Sequence, residues 1–178
     1  MEYDSNKKPK INLLIPILLA ITAAAVCITV WAIFFRDTGP VLAPDYAPQQ
    51  EEENAEAIPG DNAEKMETPE GGSAVSISYS KEVKISLSDE TASLYFANPG
   101  KSNQDMVLQI SIQDEVVVQS GTIKPGNQVS QLKLLNDEAG KLSPGGYDGK
   151  FIILYYDPDT GEKAVVNTEI PVTITVNE

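Results

Sequence analysis

Residues 106–112, MVLQISI, alternate large apolar side chains with other residues and form the longest regular strand pattern in the chain. Successive side chains of a β-strand point to opposite faces of a sheet, so this spacing predicts a strand with one face in a hydrophobic core. The core face would carry Met106, Leu108, Ile110 and Ile112, and the opposite face Val107, Gln109 and Ser111.

Shorter runs with the same alternation flank this stretch. Turn-forming residues separate them at intervals of about 8–12 residues, and the region shows no helical periodicity. Such spacing predicts an all-β domain of about seven strands over residues 74–178, arranged as a β-sandwich. The other runs are 75–79, 83–87, 94–96, 116–118, 129–135, 147–156 and 164–176.

The sequence before the run 147–156 resembles a known corner of β-sandwich domains. Leu142 is followed by the turn Pro144-Gly145, and Tyr147 then begins the strand. This order is similar to the corner before strand F in fibronectin type III-like and other immunoglobulin-like domains, where a tyrosine packs back onto the loop. The resemblance implies that Tyr147 is the corner tyrosine. An ordinary core tyrosine after a turn is the alternative.

Residues 11–35, INLLIPILLAITAAAVCITVWAIFF, contain no charged side chain. A helix of this length covers roughly 37 Å, enough to cross a hydrocarbon core of about 30 Å. The sequence therefore predicts a transmembrane helix that begins at Ile11. Its aromatic side chains near the outer interface would be Trp31, Phe34 and Phe35.

Three lysines set the expected orientation of this helix. An excess of lysine marks the cytoplasmic side of a membrane segment, so residues 1–10 are expected in the cytoplasm and the C-terminal domain outside the cell membrane. The lysines are Lys7, Lys8 and Lys10.

Two other interpretations of the apolar segment stay open. A cleavable signal peptide would have a shorter apolar region, and Pro44 disfavours cleavage after the small residues 41–43. A lipoprotein signal would place Cys27 at the start of the mature chain, but apolar residues continue beyond it. An uncleaved signal anchor is the interpretation that the pattern favours.

Residues 36–73 are typical of an acidic linker. They contain ten acidic residues against Arg36 and Lys65, five prolines and hardly any large apolar side chain. Because such a segment has little apolar surface to bury, it does not offset the entropy lost on ordering, and we expect a disordered stalk. A specific docking tract or a calcium-binding tract around residues 51–53 is the alternative.

Composition excludes several classes of function. A net charge of −13 disfavours nucleic acid and anionic headgroups as partners. The chain has no histidine, and its one cysteine, Cys27, lies in the apolar segment, which excludes histidine-dependent catalysis and an exported thiol nucleophile. No glycine-rich phosphate loop is present. We therefore expect a protein that is not an enzyme and that uses no cofactor, no metal and no small-molecule substrate.

Two local patterns allow sharper alternatives. The acids of residues 157–162, DPDTGE, supply part of a calcium loop, although the segment is expected to be a hairpin turn. A lysine–asparagine isopeptide bond would require Lys84, Asn167 and Glu115 to be buried together. The alternation around Lys84 directs its side chain to solvent instead.

Apolar side chains also occur on the face of run 147–156 that lies opposite the predicted core. Ile152, Leu154 and Tyr156 are unusual on a solvated surface and form a candidate partner surface. The alternative is that another layer of the chain covers them.

These observations predict a binding or scaffolding module that presents an immunoglobulin-like domain to another exported or membrane protein. Recognition would use an exposed sheet edge by strand addition, or loops. The alternative is a structural subunit of a surface or conjugative membrane complex, with its helix packed on other membrane helices.

The order of segments resembles small single-pass, membrane-anchored, immunoglobulin-like surface proteins of Gram-positive bacteria. In both, lysines, one helix, an acidic stalk and one domain follow each other, and segments 96–99, 123–126, 144–147 and 156–157 carry the likeness. The resemblance implies a cell-membrane location and an extracellular domain, and it specifies fold more than function.

Overall fold

The structure is a computed structural model that describes residues 14–34, 42–68, 70, 72–136 and 138–178. The chain divides into two compact units, Met1–Thr38 and Gly39–Glu178. The first contains one helix, and the second contains the strands.

Helix α1, Leu14–Phe34, lies inside the predicted apolar segment. The side chains of residues 15–31, Cys27 and Trp31 among them, are exposed. Thr22 and Thr29 donate their hydroxyl hydrogen bonds to the backbone carbonyls of Leu18 and Ala25. Within the part of the chain that the structure describes, no helix is long and apolar enough to cross a membrane. Ile11, Phe35 and the three lysines lie outside the described residues, as does the side chain of Phe34.

Among the described residues, nine strands form a single curled sheet, which confirms the all-β prediction. Its order is β1-β7-β4-β3-β9-β8-β5-β6, with β2 paired to β4, and all pairs are antiparallel except β3 with β9. The sheet curls so far that β6, at one end of this order, approaches the segment after β7, near the other end. Val118 of β6 forms a bridge with Leu134 there. The strands are β1 Ala55–Ala57, β2 Ser78–Tyr79, β3 Glu82–Ser86, β4 Thr91–Asn98, β5 Asp105–Ile112, β6 Glu115–Gln119, β7 Asn127–Lys133, β8 Gly145–Tyr156 and β9 Lys163–Asn177.

The main core lies inside the curl of the sheet and contains the predicted apolar face of β5. Phe151 is at its centre, with edge-to-face ring contacts to Phe96 and Tyr79 at 6.3 and 6.4 Å between centroids. The predicted core residues Met106, Leu108, Ile110 and Ile112 are all buried there.

The opposite face of β5 is also buried, which the alternation did not predict. Val107, Gln109 and Ser111 are at most 3% exposed. We call the side of β5, β8 and β9 that faces away from the main core the outer face. Its burial means that other parts of the chain cover this side of the sheet.

The expectation of a disordered linker over 36–73 is wrong for residues 42–68, which we call the strap. The strap contributes β1, which pairs antiparallel with β7, and further along it Met66 N donates to Lys101 O at 2.9 Å. Backbone groups bonded to a folded sheet order a segment without large apolar side chains, and composition does not report this contribution. Of the expected linker, the structure leaves residues 36–41, 69 and 71 undescribed.

One glycine of β8 is required by the close packing of three strands. A Cβ added at Gly149 would lie 2.3 Å from Ile174 Cδ1 and 2.8 Å from the backbone oxygen of Ser111. We expect Gly149→Ala to lower the free energy of unfolding by about 1–3 kcal/mol, because the backbone oxygen cannot move without breaking strand pairing. Chemical denaturation measures the change.

Gly146→Ala is the matched control in the same strand. No atom lies within 4 Å of a Cβ placed at Gly146. If both variants unfold at the same denaturant concentration as the parent, the tight approach of β5, β8 and β9 at Gly149 is contradicted.

Candidate functional site

The predicted partner surface on β8 is covered by the strap. Leu154 and Tyr156 are buried and Ile152 is half-buried, and together with Val107 of β5 they form a second apolar cluster. On the strap side, the cluster packs against Ala43 and Ala47. Leu154 and Tyr156 are therefore covered by another layer of the chain, and Ile152 stays partly accessible.

Tyr156 fixes the strap over this cluster. Its hydroxyl donates to the backbone oxygen of Pro44 at 3.0 Å. Burial raises the pKa of the Tyr156 hydroxyl, and the nearby charge of Asp45 raises it further. The hydroxyl thus stays a hydrogen-bond donor at neutral pH.

The strap begins as a short strand along the β8–β9 hairpin. Ala47 N donates to Gly161 O at 2.8 Å and Lys163 N donates to Asp45 O at 2.9 Å. These two bonds flank the antiparallel pair of Tyr46 and Glu162. The strap therefore extends the sheet beyond β9 at this end.

The strap then pairs with the segment around Gly121, which follows β6. Thr122 N donates to Gln50 O, and Glu52 N donates to Thr122 O, each at 3.0 Å. A Cβ on Gly121 would lie 2.9 Å from both Gln50 O and Glu52 N. Glycine is therefore needed for the two backbones to approach this closely.

The acidic run 51–53 binds this chain's own domain. Glu52 Oε2 accepts a hydrogen bond from Gly121 N at 2.7 Å. Glu51 pairs with Lys124 at 2.7 Å and Glu53 with Lys133 at 3.3 Å. Because both ion pairs are exposed, each contributes little to stability, and the backbone bonds hold the strap.

Asp105 is a buried acid close to the strap. It is 8% exposed, and Tyr156 is its strand-pairing partner on β8. Burial raises the pKa of its carboxyl; Lys124 opposes this shift and Glu51 adds to it. The ionised carboxylate is thus less stable here than in water.

Past the strap, the outer face opens into a groove of about 390 Å³. Lys150 lies in it, with its ammonium 3.2 Å from Asp114 Oδ1 and 3.3 Å from Glu169 Oε2. Hydrogen bonds to these two carboxylates raise the pKa of Lys150. The groove is lined by Ser111, Gln113, Asp114, Asp148, Gly149, Lys150, Glu169 and Pro171.

Ser111 and the turn beside it are the unusual features of the groove. The Ser111 side chain is buried, and its hydroxyl has no hydrogen-bond partner. Gln113 and Asp114 have φ angles of 51° and 66° in the two-residue turn between β5 and β6. Positive φ at two non-glycine residues is costly, and here it holds the Asp114 carboxylate against Lys150.

Part of one edge of β9 is open. β3 pairs with β9 only over residues 173–177, and the strap only at its start. In the part of the chain that the structure describes, no strand pairs with this edge between Ala164 and Pro171. Val165 is fully exposed there and Val166 is 67% exposed.

The residues of the predicted corner lie together at the start of β8. Tyr147 Oη donates to Ser143 O at 2.8 Å, a bond from the tyrosine back to the preceding loop. Leu142 packs against the main core, Pro144 lies in the loop, and Gly145 begins the strand.

Residues 157–162 form a hairpin turn. Asp157 Oδ1 accepts hydrogen bonds from Asp159 N at 3.0 Å and from Thr160 N at 2.8 Å, and these bonds lower the pKa of Asp157. Gly161 has a φ of 73°. Among the described residues, no group of three acids or cysteines is placed to hold a metal ion. The carboxylate that a calcium loop would use is engaged in closing the turn.

The isopeptide candidates are not buried together. Lys84 on β3, Asn167 on β9 and Glu115 on β6 are all exposed. Lys84 points to solvent, as its alternation with Val83 and Ile85 predicted.

Sequence reasoning missed the strap and the groove. Gly121 permits the close approach of the strap, and Gly149 that of β5 and β9. In the sequence, both are indistinguishable from ordinary turn or strand glycines. Ser111 appeared only as a polar position of β5. The repeated Ala-Pro pairs of the strap at residues 43–44 and 47–48 are half-buried, and their spacing was the one available signal.

Comparisons with known proteins identify no family. No family model matches the chain, and no curated protein matches it. Among solved structures, it is similar to the CooA pilin subunit from enterotoxigenic Escherichia coli, with 15% identity over 58% of this chain and 99% of that chain. The TM-score is 0.24.

We expect Gly121→Ala to loosen the strap while the rest of the sheet stays folded. The added methyl group would overlap two backbone atoms of the strap. Hydrogen exchange should therefore accelerate at residues 45–58, with core amides of β5 unchanged. Gly140→Ala, where a Cβ meets no atom within 4 Å, is the control. Unchanged exchange in the strap of the first variant would contradict its docking at Gly121.

A second prediction concerns the pH dependence of stability. Because the pKa of Asp105 in the folded protein lies above its ordinary 3.8, its contribution is favourable below that pH and is lost as pH rises through the folded pKa. We expect Asp105→Asn to raise the melting temperature at pH 7, with the difference shrinking as pH falls through the folded pKa towards 3.8 and changing no further below it. Asp159→Asn, at an exposed turn position, should show no such trend. If Asp105→Asn is less stable than the parent at pH 7, the ionised carboxylate of Asp105 does not destabilise the folded protein, and the prediction is wrong.

Proposed function

We propose that the chain is a membrane-anchored, extracytoplasmic binding module that is not an enzyme and that presents its β-domain to another exported protein. The observation that carries the proposal is the open edge of β9, with two exposed valines, in a domain whose outer apolar cluster of Val107, Leu154 and Tyr156 is covered by the strap. The anchor, the domain type and the binding edge are supported by separate observations.

Support for the anchor comes from the segment 11–35 as a whole. It has no charge, and its described helix exposes every described side chain. Thr22 and Thr29 satisfy their hydroxyls on the helix's own backbone, which is the arrangement that an apolar medium requires. The lysines before residue 11 place the N-terminus in the cytoplasm.

The order of strands supports an immunoglobulin-like sandwich. In such domains, strands A, B, E and D belong to one sheet, and C, F and G to the other. The sequence of neighbours β7-β4-β3 corresponds to E-B-A, and β9-β8-β5-β6 corresponds to G-F-C and an added C′ strand. β1 pairs with the free edge of β7, the place of strand D, but it comes from the strap before β3. Tyr147 then stands at the start of strand F, where its bond to Ser143 is expected.

The open β9 edge supplies the binding surface. Thr173 N donates to Lys81 O, so by the alternation of a strand the N–H groups of Glu169 and Asn167 point to the same edge. An extended segment of a partner would accept these bonds and pack on Val165 and Val166. Pro171, which has no N–H, ends this edge toward β3.

We expect the double variant Val165→Lys/Val166→Lys to lose the partner without unfolding. Lysine on an edge strand opposes pairing with another strand, and both positions already face solvent. Proximity labelling from a tag at Glu178 on intact cells should mark an exported or membrane partner, and the label should fall at least about tenfold in the double variant.

Val75→Lys, a change at an exposed valine outside β9, is the matched control and should retain the label. Equal labelling by the parent and the edge variant would contradict binding at β9. Labelling of cytoplasmic proteins alone would contradict the topology. Loss of the partner when only α1 is exchanged for another membrane helix would favour the structural-subunit alternative.

A further inference from the structure

The groove described above borders the open edge of β9. Glu169 lines the groove, and its side chain lies on the outer face, whereas its neighbour Ile170 is in the main core. A strand added to β9 would place side chains directly opposite Glu169, with Cβ atoms about 4.5–5.5 Å apart. Binding at the edge therefore brings a partner side chain into the groove.

The charge of the groove favours a cation from that partner. Three acids line the groove with one ammonium, that of Lys150, which leaves an excess of negative charge: Asp114 and Glu169 pair with it, and Asp148 is the third. A carboxylate entering here would meet like charges, whereas a guanidinium finds a carboxylate that can accept two parallel hydrogen bonds. Lys150 balances one of these three negative charges.

Ser111 gives an independent reason to expect a ligand with hydrogen-bond donors. It is 1% exposed, its hydroxyl has no partner, and it lies opposite Lys150 among the residues that line the groove. A buried hydroxyl without a partner destabilises the free protein. A guanidinium has five N–H donors, so it can reach both Glu169 and the serine oxygen once Lys150 shifts.

We propose that this groove binds an arginine side chain carried by the extended segment that adds to the β9 edge. This inference rests on the proposed function and specifies the partner: an extended segment in which an apolar residue packs on Val165 or Val166 and an arginine lies beside Glu169. The edge provides affinity through backbone bonds, and the groove provides selectivity.

The test uses the full chain in detergent micelles and two acetylated, amidated heptapeptides. One has the sequence TVRVTVT, whose third valine lies opposite Val166 in antiparallel pairing when its arginine lies opposite Glu169. The other carries citrulline, a neutral isostere, in place of arginine. The arginine peptide should bind at least about tenfold more tightly, and raising the salt concentration should reduce that difference. NMR should show shifts at the amides of Asn167 and Glu169.

Two variants separate the groove from the edge. Glu169→Gln should remove at least about tenfold of the preference for arginine, whereas Glu162→Gln, an exposed acid outside the groove, should leave it unchanged. Ser111→Ala should weaken arginine binding and at the same time raise the melting temperature of the free protein. A serine that merely fills space would not change the two quantities in opposite directions.

The outcomes distinguish this inference from the proposed function. Equal binding of both peptides, with shifts at β9, would overturn the arginine site and leave strand addition intact. A preference for arginine that survives Glu169→Gln would also overturn it. If neither peptide binds while the β9 lysine variants still lose the cellular partner, the arginine site is wrong and the binding edge stands.

Discussion

The backbone pairing of the strap with the domain is the interaction on which the rest of this structure depends. The outer face of β5 and β8 carries Val107, Leu154 and Tyr156, which would be exposed without it. Burying each of these side chains contributes about 1.5–3 kcal/mol, but the strap itself offers only small side chains to the cluster. Its position is set by bonds from residues 45–52 to the hairpin of β8 and β9 and to the segment around Gly121.

This arrangement also explains why the outer face differs along its length. Where the strap passes, apolar residues are covered and a tyrosine hydroxyl finds a backbone acceptor. Where it does not, the same face of the sheet carries charges around Lys150. The change from charged to apolar side chains is visible along β8. On its outer face, Asp148 and Lys150 come before Ile152 and Leu154. One strand thus supplies both a covered half and an open half.

The strands could be predicted from the sequence because their signal is local. Alternation placed Met106, Leu108, Ile110 and Ile112 in the core, and the Pro-Gly turn before Tyr147 marked the start of β8. The strap could not be predicted in the same way, because its order comes from backbone bonds to residues far along the chain. Composition shows only that residues 42–68 have little apolar surface. It does not show that an edge of β7 is available for pairing with Ala55–Ala57. The groove was missed for a related reason: Ser111, Lys150 and Glu169 are ordinary polar positions of three strands until register brings them side by side.

Covering most of the sheet restricts where a partner can bind. The strap covers the apolar part of the outer face, and β6 approaches the segment after β7, so two regions that a plain sandwich would leave open are closed. The edge of β9 between Ala164 and Pro171 stays open although it carries Val165 and Val166, and open apolar edges are a hazard for aggregation. Retaining such an edge in a chain whose strap covers a neighbouring apolar cluster indicates a use for it. The unpartnered hydroxyl of Ser111 beside that edge is a second destabilising feature, and a ligand that bonds to it would relieve both at once.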